Sequence, residues 1–103
     1  MKYNKLVRDK IVDIVRADGK VPNYRIADDD EFEIYLKEKL LEEAGEFFES
    51  PSTLEMADIF EVLGAMIDFY GLDHYVVETE QTNKRWERGG FTKKIILEEV
   101  KEK

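Results

Sequence analysis

Two pairs of carboxylates, Glu43-x-x-Glu46 and Glu55-x-x-Asp58, are the residues of this chain best suited to chemistry. Acids three apart share one face of a helix, one turn from each other, so each pair presents its carboxylates in one direction. If the pairs meet, their charges repel strongly unless a cation stands between them. An all-oxygen donor set suits Mg²⁺, with Mn²⁺ as its substitute, better than zinc. Such an ion polarises a phosphoryl oxygen and lowers the pKa of bound water. Because Mg²⁺ commonly shares its coordination with substrate phosphates, the pattern points to a phosphate-bearing ligand rather than a structural ion. Other chemistries lack their parts. With His74 the single histidine, no cysteine and no HExxH spacing, a zinc site has no ligand set, and no serine sits in a nucleophile motif.

The competing reading is that these acids are the solvated face of amphipathic helices. Such a face commonly offsets each acid with Lys or Arg four residues on. Here those positions are Phe47, Ser50, Ile59 and Val62.

The elements that must position the acids follow from apolar spacing. Ile11, Ile14 and Val15 predict a short helix ending near Asp18-Gly19, where glycine suits the C-terminal cap. Beyond Pro22, Tyr24–Ala27 has the weak alternation of a short strand. The Asp28-Asp29-Asp30 run supplies an N-cap and favourable charge for a second helix over about residues 30–49, carrying Phe32, Leu36, Leu40, Ala44 and Phe47. The third helix begins either with Pro51 in its first position or with Ser52 and Glu55 as a capping box. It carries Leu54, Ala57, Phe60, Leu63 and Ile67 and stops at Gly71. A fourth runs from Asp73 to about Glu87, before Arg88-Gly89-Gly90. The β-branched tail Phe91–Leu97 has the character to pair with Tyr24–Ile26 as a small two-stranded sheet. The expected fold is one mainly α domain over residues 1–103.

A tight antiparallel hairpin about Ser50-Pro51 sets Glu46 opposite Glu55 and Glu43 opposite Asp58, so the four acids converge. It also sets Ala44 opposite Ala57, and Phe47 opposite Leu54 at the hairpin end. The two levels of carboxylates then lie about 4.5 Å apart, room for one or two hard cations.

Composition narrows the classes further. A chain of 103 residues, 43% hydrophobic and 39% charged, has room for one small core, and so stands to gain from pairing with further copies. The net charge of −8 argues against stable nucleic-acid binding, which needs basic patches. No apolar stretch approaches the roughly 20 residues that span a bilayer, and the N-terminus lacks the apolar run of a signal peptide. A cytoplasmic protein without membrane contact is expected.

Three segments resemble the MazG-like all-α nucleotide pyrophosphohydrolases, close to the phosphoribosyl-ATP pyrophosphohydrolase-like branch. They are Asn4-Lys5-Leu6-Val7-Arg8-Asp9-Lys10-Ile11, then Lys39-Leu40-x-Glu42-Glu43-x-x-Glu46 with Glu55-x-x-Asp58, and Lys84 through Arg88-Gly89-Gly90-Phe91. Together they span almost the whole chain. The resemblance implies a MazG-like helical bundle completed by homo-oligomerisation, as a homodimer or higher. It implies Mg²⁺ held by the acids, and cleavage of a nucleoside triphosphate between the α and β phosphates to a monophosphate and pyrophosphate, a house-cleaning activity on the nucleotide pool. Two departures stand out: the gap between the acid pairs is short, and Val12 stands where related sequences often have proline.

On this reading Glu43, Glu46, Glu55 and Asp58 are the metal ligands, with Glu43 or Glu46 also the candidate base. Lys5, Arg8, Lys84 and Arg88 are candidates for the triphosphate, with Lys10 and Arg85 weaker ones. Glu61 and Asp68 extend the acidic face of the third helix, and Trp86 is a candidate to stack on a base. The alternative is a non-catalytic nucleotide-sensing or helical interaction protein of the same fold.

Overall fold

The computed structural model describes residues 4–103, which fall into two compact units that divide between Gly71 and Leu72. Among the described residues the chain forms four helices and no strand: α1 (Ile11–Ala17), α2 (Asp29–Glu49), α3 (Thr53–Phe69) and α4 (His74–Arg88).

Local chemistry accounts for the ends. The Asp28 carboxylate accepts the Glu31 N–H at 2.9 Å, and Asp29, Asp30 and Glu31 add negative charge to the positive end of α2. Of the two starts available to α3, the capping box wins: Ser52 Oγ accepts the Glu55 N–H at 3.1 Å. Asp73 caps α4 in the same way through the Val76 N–H at 3.0 Å. Gly19, Gly71 and Gly89, just beyond α1, α3 and α4, take positive φ, where glycine avoids the strain a Cβ brings.

In the first unit the helix packing is that of α2 against α3. The contacts show them antiparallel. At the open end, Phe32 meets Phe69 edge-on with ring centroids 5.4 Å apart, and Tyr70 Oη donates to Glu33 Oε2 at 2.6 Å. The short Ser50–Ser52 connector closes the other end. Among the described residues, Leu36 and Val62 are the buried apolar side chains.

The face that α3 turns inward differs from expectation. Leu54 and Phe60 are 79% and 67% exposed, and Ala57 is exposed as well, whereas Val62 is buried and Glu55, Asp58 and Ile59 are partly covered. Leu54, expected to help hold the hairpin end opposite Phe47, is thus largely in solvent; Phe47 meets its neighbour Phe48 edge-on at 5.7 Å. Both stripes have helical period, and the one that carries the acids faces α2. In α2, likewise, Glu43 lies on the shielded stripe with Leu36, Leu40 and Phe47.

In the second unit α4 is followed by irregular chain. The expected two-stranded sheet is not formed: Tyr24–Ala27 and the tail both lack strand structure. Within the tail, Lys94 takes φ 57° and its N–H bonds back to Phe91 O at 3.1 Å. That turn interrupts the extended run a strand requires, and β-branched composition alone does not supply a ladder partner.

Candidate metal centre

Glu43 lies in the C-terminal half of α2, and Glu55 and Asp58 in the first two turns of α3. One carboxylate oxygen from each falls within 4.8 Å of the others. Glu43 is 6% exposed, the buried charged residue among those described. Lys39, one turn earlier on α2, reaches its Oε1 at 3.2 Å. Its Oε2, and Oε2 of Glu55, are buried with no hydrogen-bond partner.

Burying a carboxylate oxygen without a partner is costly, and placing acids side by side adds repulsion. A cation removes both costs. The donors are all carboxylate oxygens, the set that suits a hard divalent ion. The solvated-face reading fails for Glu43, which is not on a solvated face.

Glu46 stands one turn beyond Glu43, exposed and outside the three-oxygen cluster. It is nonetheless part of the same field. The charge of Glu43 above all, then loss of solvation and the charges of Glu55 and Glu42, raise its pKa above the ordinary 4.5. The sign of the consequence is fixed. A raised carboxyl keeps its proton in the folded state over a pH range where the unfolded chain has released it, so stability falls as pH rises through that range. Glu42 acts oppositely, since its hydrogen bond from Lys5 lowers its pKa; its contribution is lost on acidification. Comparing Glu46→Gln with wild type isolates the first effect. In chelator, thermal unfolding followed upward from about pH 4 should show wild type losing stability relative to the variant. Parallel pH profiles would remove Glu46 from the field of the cluster.

Two cations of the N-terminal segment contact this acidic surface. Lys5 Nζ contacts Glu42 Oε1 at 3.0 Å, and an Arg8 guanidinium N–H donates to Asp58 Oδ1 at 2.8 Å. Lys39 also approaches Glu42, at 3.7 Å. Glu61 and Asp68 are exposed on α3 and outside the cluster; Lys10 immediately precedes α1. Lys84, Arg85, Trp86 and Arg88 are exposed on α4 in the second unit, where Trp86 is 91% exposed and His74 is the first helical residue.

Lys39 is the contributor that sequence reasoning passed over. A search for partners four residues downstream of each acid misses a lysine four residues upstream of Glu43, although that spacing is equally close on a helix. No protein-family model, no curated protein and no solved structure matches the chain.

Proposed function

We propose that the chain is a Mg²⁺-dependent nucleotide pyrophosphohydrolase, of the MazG-like kind its motifs resemble. It would cleave a nucleoside triphosphate between the α and β phosphates. The observation that carries this reading is the convergence of Glu43, Glu55 and Asp58 with buried carboxylate oxygens that lack partners. Glu43, Glu55 and Asp58 are the residues to hold the ion, with Glu46 completing the set from its exposed position. When bound, Mg²⁺ supplies charge neutralisation at the phosphoryl oxygens and a more acidic water.

The chain's own residues do the rest. Lys5 and Arg8 lie on the rim of the acids and are the cations assigned to the phosphates. Glu46 is the base of this reading, because it stands one turn from Glu43 and, unlike Glu43, is open to the solvent that must carry the proton away. A water attacks the α phosphorus in line with the pyrophosphate leaving group, the Pα–O–Pβ bond breaks, and the water's proton passes to Glu46 and then to solvent. No protein nucleophile is required. The work belongs in the cytoplasm, where Mg²⁺-nucleotides are plentiful.

The apolar stripe that α3 turns outward supports association with a second copy. Leu54 and Phe60 on α3, and Leu41 and Phe48 on α2, are all more than half exposed. These exposed apolar side chains are available to such a contact, and a second copy would enlarge a core that, among the described residues, otherwise rests on Leu36 and Val62.

A panel of nucleoside triphosphates with Mg²⁺, scored separately for pyrophosphate and orthophosphate, tests the activity. Pyrophosphate release that stops in chelator and returns with Mg²⁺ is expected. Orthophosphate as the sole product would sink the assigned bond cleavage, and absence of turnover across the panel would sink the activity.

A further inference from the structure

Arg8 and a metal ion need the same carboxylate. The guanidinium of Arg8 donates to Asp58 Oδ1 at 2.8 Å, and Asp58 is also one of the three acids whose oxygens cluster. The pair is open to exchange: the side chains of Arg8 and Asp58 are 56% and 41% exposed. Glu43 and Glu55 meanwhile keep a buried oxygen without any partner. Among the described residues two cations meet the cluster: Lys39 of α2, at Glu43 Oε1, and Arg8, at the rim, carried on a segment outside both hairpin helices.

We propose that Arg8 is a built-in counter-ion exchanged on metal binding. It holds Asp58 while the acids lack an ion, and is released when the ion takes that carboxylate, which frees its guanidinium for the phosphates of an incoming substrate. The inference rests on the metal-centre reading above and adds the order of events: ion first, then Arg8 to phosphate. Lys39 differs from Arg8 in this respect. Its side chain is 18% exposed and comes from α2 itself, so it stays with Glu43 and Glu42 throughout. Linkage makes the exchange reciprocal: if the Arg8 contact opposes the ion, removing Arg8 must strengthen ion binding by the same free energy.

The test is calorimetric titration of Mn²⁺ into the chelator-stripped full chain as wild type, Arg8→Gln, Arg8→Lys and Glu55→Gln. Arg8→Gln should bind Mn²⁺ about three- to fivefold more tightly, the worth of a partly exposed ion pair. Arg8→Lys, which restores the charge, should return towards wild-type affinity, and Glu55→Gln should bind about tenfold or more weakly. If Arg8→Gln binds no more tightly than wild type while Glu55→Gln is impaired, the exchange is wrong and the metal centre stands. If Glu55→Gln binds as wild type does, the metal centre itself is wrong and the exchange goes with it.

Discussion

Glu43→Gln is expected to lower Mg²⁺-dependent pyrophosphate release by at least about a hundredfold, more than the ~10–100-fold typical of losing an outer-shell partner. The substitution keeps the shape of the side chain while removing its charge and turning one acceptor oxygen into an NH2 donor, at a position that is 6% exposed. The second readout is thermal. Wild type should gain stability with Mg²⁺, by about 2.7 kcal/mol at a hundred times the dissociation constant, and the variant should gain little at the same concentration. A folded variant that keeps both its rate and its Mg²⁺-induced stabilisation would show Glu43 to be a buried acid satisfied by Lys39 alone.

Phe60→Asp should have the largest effect on assembly. Phe60 is 67% exposed on the outward stripe of α3, so within a single copy the substitution changes little, within about 0.5 kcal/mol as for exposed sites generally. In the proposed contact with a second copy it would set a carboxylate where an aromatic ring becomes buried. Association should weaken by at least about a hundredfold, the range of a central aromatic anchor. Sedimentation velocity over a concentration series checks it, with wild type associated and the variant monomeric under the same conditions. A wild-type chain that sediments as a monomer at high concentration, or a variant that associates equally well, rules out this face.

The boundaries of the helices were legible because their causes are local. Asp28, Ser52 and Asp73 each cap a helix through a backbone N–H close by in sequence, and the meeting of Glu43 with Asp58 follows from reflecting the chain about its short connector. The orientation of α3 was not legible. Leu54, Ala57 and Phe60 make as good a helical stripe as Glu55, Asp58 and Val62, and apolar spacing favours the former. The structure turns the acid-bearing stripe to α2, a choice that depends on what each face meets and not on periodicity. The tail misled for a related reason: β-branched residues describe a surface suited to a sheet, yet a strand exists only when another backbone pairs with it. The docking of Lys5 and Arg8 on the acids joins residues far apart in the chain; charge complementarity made it an expectation, and geometry identified the partners.

The closeness of the connector to the acids has a consequence in time. Everything that forms the three-acid cluster, Lys39 included, lies in the continuous stretch from Lys39 to Asp58, joined across Ser50–Ser52. Contacts so near in sequence need only a short loop to close, so this part of the fold belongs with the low-contact-order helical structures that form on the order of microseconds to milliseconds. The three-acid cluster is thereby an early product of the folding chain.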